Sequence, residues 1–188
     1  MPTTRRAPAR PVNADGRKQA GNRWTRVRIP QIDIAIEHEG WPEEENLREL
    51  VSRAICAAAE SLGLQWTEGA ELSLLFTGDE HMAKINGQWR GKPKATNVLS
   101  FPGEEREVGD AAGVMIGDLV FSLETIRREA AEQQKTFEHH LAHLAVHGFL
   151  HLFGYDHEET AEAETMEAAE IKALATLGIG DPYAYLGP

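Results

Sequence analysis

The chain has 188 residues, 41% hydrophobic content and a formal net charge of -11. This length favours a single domain with a sizeable core, and the sequence has no run of eighteen apolar residues that would predict a membrane span. Cys56 is the only cysteine. A single cysteine excludes an intramolecular disulfide and suits a reducing cytoplasm, where we expect the protein to act.

The charge is distributed unevenly along the chain. Residues 1–28 carry eight basic groups and one acidic group, whereas the remaining 160 residues carry 11 basic and 29 acidic groups. We predict a disordered basic arm over residues 1–27, because this stretch has almost no large apolar side chains, and one folded domain over residues 28–188. An acidic body argues against broad nucleic-acid binding, so a polyanionic substrate would need a local basic patch. The arm is interpreted as a dispensable tail in preference to an RNA-contacting segment.

Hydrophobic periodicity and capping residues predict four strands and five helices. In chain order, these are a strand over 29–36, a helix over 43–62, a strand over 71–77, a helix over 80–88, strands over 96–101 and 114–121, and helices over 123–135, 137–153 and 158–176. Side chains predicted to cap helices are Asp79, Ser122 and Thr136. A helical C-terminal half predicts an α+β fold, with a small four-stranded mixed sheet packed with about five helices.

Three histidines at the end of one predicted helix have the spacing of a metal site. His147 and His151 lie four residues apart, on one helix face. Gly154 can end the helix in a left-handed conformation and return His157 to the same place. Three protein ligands leave a fourth position open for water, as in catalytic zinc sites. The alternative, histidines placed on a helix surface by chance, is the weaker interpretation.

The residue after the first histidine separates this pattern from that of a zinc peptidase. Such a peptidase has His-Glu-x-x-His, with the Glu as general base, whereas this chain has Gly148 in that position. The pattern therefore predicts a metal-dependent hydrolysis other than that of peptides.

A dense basic cluster precedes the third strand. Arg90, Lys92 and Lys94 form it, with Trp89 beside them. A guanidinium can neutralise a phosphodiester, and an indole can stack on an unpaired base, so these four residues are candidates for substrate binding. The alternatives are a solvated loop charge for Arg90, which the residue taken alone favours, and core or rim packing for Trp89; the motif resemblance given below favours substrate binding by Arg90.

Other polar residues are weaker candidates for the site. Asp156 is either a turn-capping residue or a group that orients an imidazole or accepts a proton. His143 is predicted to support the ligands from behind or to line the cleft wall, whereas His139 and His140 are predicted to face solvent or the rim of the cleft. Residues that could line the cleft are Asn97, Ser100 and Asp118.

Three ordered motifs resemble the YbeY family. Residues 147–157 match every specified position of its signature His-Gly-x-Leu-His-Leu-x-Gly-Tyr-Asp-His. Residues 89–92 and 95–102 resemble its Arg-Gly-Lys and Thr-Asn-Val-Leu-Ser-Phe-Pro segments, and residues 117–119 resemble its Gly-Asp-Ile element. The resemblance covers about residues 28–185 and does not include the basic arm or the acidic loop over 103–112.

This resemblance implies a metal-dependent hydrolase domain with a zincin-like metal helix. It implies a zinc-dependent endoribonuclease that cuts single-stranded RNA, matures small-subunit (16S) rRNA and serves ribosome quality control. The implied cofactor is one Zn²⁺ per chain, held by His147, His151 and His157 plus water, and the family's functional arginine falls on Arg90. Implied catalytic residues are these three histidines and Arg90. The implied partners are single-stranded RNA, the small ribosomal subunit and its assembly factors, with no membrane and no DNA.

Two other functions stay open from the sequence. One is a non-catalytic, zinc-stabilised ribosome-assembly factor that binds rRNA or ribosomal proteins. The other, disfavoured by Gly148, is a metalloprotease. Three imidazoles also suit nickel or copper, and no residue stands out as the general base.

Overall fold

The computed structural model of the protein describes residues 29–184, so the predicted basic arm lies outside the described residues. Within this range, four strands and five helices form one α+β fold, as predicted from the sequence. They are β1 (Gln31–Ile36), α1 (Glu44–Leu62), β2 (Glu71–Thr77), α2 (Asp79–Arg90), β3 (Val98–Pro102), β4 (Met115–Ser122), α3 (Leu123–Glu132), α4 (Phe137–His151) and α5 (Thr160–Thr176). None of these helices is long and apolar enough to cross a membrane.

The four strands form one mixed sheet in the order β1-β2-β4-β3. β1, β2 and β4 are parallel, and β3 pairs antiparallel with β4 at one edge. Alternate residues of β2, such as Leu72 and Leu74, face the main core, where α1, α3, α4 and α5 pack. The opposite face is covered by α2 over a small cluster of Met82, Leu99 and Val120. Helix α4, which carries His147 and His151, therefore packs on one face of the sheet, and the basic cluster lies at the end of α2 on the other face.

Local signals fix the C-terminal end of α1 and both ends of α4. Gly63 ends α1 with a φ of 70°, a left-handed conformation that costs glycine little. The Thr136 hydroxyl accepts a hydrogen bond from the N–H of His139 at 3.1 Å and caps α4, as predicted. α4 ends at His151, two residues earlier than predicted, and a turn leads to Gly154 at a φ of 81°. This turn lets the chain reverse direction beside the last helical histidine.

The predicted capping roles of Asp79 and Ser122 are wrong, because the two helices exchange caps. Asp79 is the first residue of α2, and its Oδ1 accepts hydrogen bonds from Ser122 Oγ and from the N–H (3.1 Å) and hydroxyl (2.7 Å) of Thr125 in α3. Glu124 Oε2 in turn accepts a hydrogen bond from the N–H of Asp79 at 2.9 Å. The exchange is possible because Thr77 pairs with Ser122, so α2 and α3 begin side by side.

The prediction for His140 is also wrong. His139 is exposed as expected, but His140 is only 2% exposed, and its Nε2 donates to Glu129 Oε2 at 2.9 Å. Glu129 also accepts a hydrogen bond from Asn97 Nδ2 at 2.9 Å. His140 is buried because α3 packs along this side of α4 and supplies the carboxylate partner.

Candidate metal centre and cleft

The three predicted ligands come together at the end of α4. His147 and His151 occupy its last turns, and His157 follows the reversal at Gly154. One ligand atom from each histidine lies within 4.8 Å of the other two. His147 and His151 are half-buried and His157 is exposed, so the cluster is open on one side.

Hydrogen bonds at Nδ1 fix the orientation of both helical imidazoles. His147 Nδ1 donates to Glu170 Oε1 at 2.7 Å, and His151 Nδ1 donates to the Tyr155 carbonyl oxygen at 2.9 Å. Each Nε2 therefore carries the lone pair, and the two Nε2 atoms lie 3.2 Å apart. Two nitrogens bound to one tetrahedral ion at about 2.0–2.1 Å would lie about 3.3–3.4 Å apart. The geometry of these two side chains therefore fits a metal ion.

The protonation of His151 also suits a metal ligand. Burial, followed by the neighbouring imidazoles of His147 and His157, lowers the pKa of His151 to about 4. Because a ligand must be deprotonated to bind a metal, His151 is ready to bind at neutral pH without losing a proton.

Glu170 of α5 lies behind the cluster, and the sequence analysis missed it. Its side chain is fully buried, Oε1 accepts from His147, and Oε2 accepts from His143 Nε2 at 2.7 Å and from the Tyr183 hydroxyl. Burial by itself would raise the pKa of Glu170, but the hydrogen bonds and charges of His143 and His147 lower it to about 2. One signal was available, since Glu170 interrupts the apolar face of α5 between Met166 and Leu174.

Gly148 faces the sheet and not the open side of the three-histidine cluster. A Cβ atom at this position would lie 3.0 Å from Leu119 Cδ2, 3.2 Å from Ser100 Oγ and 3.2 Å from Val98 Cγ2. The close approach of α4 to β3 and β4 thus leaves no room for the glutamate of a zinc peptidase.

A cleft of about 670 Å³ joins the three-histidine cluster to the basic cluster. Its lining includes His151 and His157 on one side and Arg90 and Lys92 on the other. The side chains of Arg90, Lys92 and Lys94 have no hydrogen-bond or ion-pair partner among residues 29–184. The cleft also contains three carboxylates, from Glu105, Asp156 and Glu158. Unpaired cations beside the open three-histidine cluster form a site suited to an anion.

Comparison with known proteins identifies the family. A sequence model described as Endoribonuclease YbeY matches residues 32–178, which is more than half of the chain. The chain belongs to the endoribonuclease YbeY family. The resemblance inferred from the three motifs is therefore confirmed.

Individual relatives of the YbeY family are similar over most of the chain. The Endoribonuclease YbeY of Agrobacterium fabrum is 51% identical over 158 residues, which cover 81% of this chain and 94% of that protein. The Endoribonuclease YbeY of Bartonella henselae is 49% identical over 155 residues, which cover 82% and 98%. A solution structure of a Thermotoga maritima protein matches with 23% identity and a TM-score of 0.48, covering 79% of this chain and 92% of that one.

Of the remaining predicted site residues of this YbeY-family chain, Ser100 lines the cleft, whereas Trp89, Lys94, Asn97 and Asp118 do not. Ser100 lines both the cleft and an adjoining groove of about 850 Å³ on the α2 side of the sheet, which Trp89 and Asp118 also line. Trp89 is 73% exposed, and its ring contacts Phe101 with centroids 5.7 Å apart. Lys94 is exposed but does not line the cleft. Asn97 bonds to Glu129 of α3 and so links β3 to that helix.

Asp156 contacts the backbone of the turn that carries His157. Its Oδ1 accepts a hydrogen bond from the N–H of His157 at 2.7 Å, which is the turn-forming role weighed from the sequence. Asp156 therefore orders the turn that presents His157, and its carboxylate also lines the cleft.

Arg106 is a second residue that the sequence analysis missed. It belongs to the acidic loop, yet its guanidinium is buried and donates to the carbonyl oxygens of Leu152, Ile116 (3.1 Å) and Met115 (3.3 Å). A Cβ atom at Gly154 would lie 2.4 Å from the Arg106 carbonyl oxygen. The loop therefore packs against the turn between His151 and His157 and holds its shape. The one signal was a lone arginine within an acidic stretch.

Proposed function

We propose that this protein is a zinc-dependent endoribonuclease that cuts single-stranded RNA in the cytoplasm and acts in small-subunit (16S) rRNA maturation and ribosome quality control. One observation carries the proposal. Two members of the three-histidine cluster, His151 and His157, line the same open cleft as two unpaired cations, Arg90 and Lys92.

The residues that would hold the zinc ion are His147, His151 and His157. When bound, the ion would act as a Lewis acid on a phosphoryl oxygen and lower the pKa of water in its open position to about 7. Glu170 and the Tyr155 carbonyl oxygen would orient two of the imidazoles toward it. Zinc is the favoured metal because three imidazoles with an open fourth position are typical of its catalytic sites.

The chain's own cations would bind and neutralise the substrate. A phosphodiester gathers negative charge as it is cleaved, and Arg90 can contact two of its oxygens with a fixed pair of N–H donors. Lys92 adds positive charge to the same cleft. Exposed Trp89, next to Arg90 in the chain, offers a surface on which an unpaired base can stack, which supports single-stranded RNA as the substrate.

The role in rRNA maturation rests on what the motif resemblance implies. The relatives in Agrobacterium fabrum and Bartonella henselae are named Endoribonuclease YbeY, and these names concern RNA cleavage alone. A test is to incubate the protein with precursor small subunits and with deproteinised 16S precursor, and to map the new RNA ends. Cuts confined to precursor ends within the subunit are expected, and cuts scattered alike in both would contradict the role.

Cleavage of an end-labelled RNA tests the central proposal. We would compare a single strand with the same strand in a duplex, using zinc-loaded wild type, His151→Ala, Arg90→Ala and Lys84→Ala. Lys84 is the control, because it is an exposed cation on the same helix as Arg90 that pairs with Glu80 at 2.7 Å. We expect wild type and Lys84→Ala to cut the single strand, and the other two variants to lose at least about 100-fold in kcat/KM.

The other outcomes discriminate the alternatives. Equal cutting by wild type and His151→Ala would mean that the activity comes from a contaminant. RNA binding without cutting by any variant would instead favour the zinc-stabilised assembly factor. A peptidase is disfavoured by the packing at Gly148, where a glutamate has no room.

A further inference from the structure

Glu170 is the one fully buried carboxylate among residues 29–184, and its partners are all hydrogen-bond donors. Oε1 accepts from His147 Nδ1, whereas Oε2 accepts from His143 Nε2 and the Tyr183 hydroxyl. Three donors on a carboxylate with no exposed surface account for its burial, because an unpaired buried charge is costly. Only one of these donors belongs to a predicted metal ligand.

The bond to Glu170 decides which nitrogen of His147 is free to bind a metal. A carboxylate accepts hydrogen bonds and cannot donate while ionised, so His147 must carry its proton on Nδ1 and its lone pair on Nε2. That Nε2 is the atom that lies 3.2 Å from Nε2 of His151. Without Glu170, the neutral ring could carry its proton on Nε2, where it would block the ligand position.

A glutamine cannot replace Glu170 in this network. Its single carbonyl oxygen can accept from His147 or from the pair His143 and Tyr183, and its NH₂ group then faces the other donors. His143 cannot change tautomer without cost, because its buried Nδ1 has no hydrogen-bond partner among residues 29–184. In Glu170→Gln, the NH₂ group would therefore face either the N–H of His147 or the donors of His143 and Tyr183.

The C-terminal segment of the described chain is also part of this network. The Tyr183 ring packs edge-on against His143 with centroids 5.5 Å apart, and the Tyr183 N–H donates to Asp181 Oδ1 at 2.8 Å. Lys135 Nζ donates to the Pro182 carbonyl oxygen at 2.7 Å and ties the same turn to the end of α3. Residues 181–183 are thus held over α4, with the Tyr183 hydroxyl directed at Glu170.

We propose that Glu170 is a positioning residue that sets the ligand tautomer of His147, and that Tyr183 links the docking of residues 181–183 to metal affinity. This inference rests on the proposed metal site and adds two residues to it. By linkage, a bound metal ion must strengthen the docking of the Tyr183 turn as much as the docked turn strengthens metal binding. Carboxylate partners of ligating histidines typically contribute 10- to 100-fold in metal affinity.

The same helix offers a matched control. His140 Nε2 donates to Glu129 Oε2 at 2.9 Å, so another histidine of α4 pairs with a glutamate but does not belong to the three-histidine cluster. A general loss of stability from breaking a His–Glu hydrogen bond on α4 would appear in both Glu129→Gln and Glu170→Gln. An effect on metal affinity should appear in Glu170→Gln alone.

The experiment measures zinc affinity of the full chain by competition with a chromophoric chelator, for wild type, Glu170→Gln, Glu129→Gln and Tyr183→Phe. Circular dichroism confirms that each variant is folded before titration. Nitrogen-15 NMR of the metal-free protein reports the His147 tautomer directly, without metal or activity. We expect Glu170→Gln to bind zinc 10- to 100-fold more weakly, Tyr183→Phe about fivefold more weakly, and Glu129→Gln within twofold of wild type.

The results separate this inference from the proposed function. Tight zinc binding by wild type with an unchanged affinity in Glu170→Gln, or an equal loss in Glu129→Gln, would overturn the inference alone. The expected affinities together with no RNA cleavage by wild type would support the inference and overturn the ribonuclease. Absence of zinc binding by the wild type would overturn both.

Discussion

Gly148 provides a sharp test of how the metal helix packs on the sheet. Replacing glycine by alanine within a helix normally stabilises it by about 1 kcal/mol. At this buried position, however, the new methyl group would lie 3.0–3.2 Å from atoms of Leu119, Ser100 and Val98. Overpacking of this kind typically costs about 1–3 kcal/mol. We therefore expect Gly148→Ala to lower the free energy of unfolding by about 0–2 kcal/mol, or the Tm by a few degrees.

Gly148→Glu extends the same reasoning to function, since it restores the His-Glu-x-x-His pattern of a zinc peptidase. The added carboxylate would be forced into the space between α4 and the sheet, against the side chains of Leu119, Ser100 and Val98. Overpacking and an unpaired buried charge together should cost more than about 4 kcal/mol, a large part of the usual stability of a domain. We expect a poorly folded protein without peptidase activity.

Urea denaturation of the metal-free protein measures both variants, since a bound ion would add its own stabilisation. Gly180→Ala is the control, because a Cβ atom there meets nothing within 4 Å. The packing argument fails if Gly148→Ala is about 1 kcal/mol more stable than wild type, as an open helical position would be. It fails also if Gly148→Glu folds normally and hydrolyses a peptide.

Three further predictions concern the cap exchange, a buried histidine and the cleft. Asp79→Ala should lower the free energy of unfolding, measured in urea, by about 2 kcal/mol, because α3 loses its cap at the Thr125 N–H and the buried Ser122 hydroxyl loses its partner. A loss below about 0.5 kcal/mol would contradict this. Burial lowers the pKa of His140 below its unfolded value, so the unfolded chain takes up its proton first as pH falls below about 6.5, and stability decreases there. His140→Gln should show a smaller decrease between pH 6.5 and 5, and an identical pH profile would refute the assignment. Arg90→Lys should keep zinc affinity and lose about tenfold or more in RNA cleavage, because an ammonium cannot contact two phosphate oxygens in the fixed geometry of a guanidinium; full activity would show that charge alone suffices.

The sequence by itself determined those features that depend on local rules. The period of a helix places His147 and His151 on one face, and Gly154 supplies the left-handed turn that brings back His157, so this three-histidine cluster follows from eleven residues. Periodicity likewise predicted all four strands and five helices to within about three residues at their ends.

Tertiary structure alone decided the partners of these residues. Arg90 reaches the cleft of His151 because α2 and α4 lie on opposite faces of a sheet whose edge strand runs between them. Glu170 and His140 are buried against partners on other helices, which no local pattern specifies. Gly148 reads as a missing catalytic base in the sequence and is a packing requirement in the fold. Local spacing fixes which side chains share a face of one element, whereas contacts between elements depend on how their surfaces pack together.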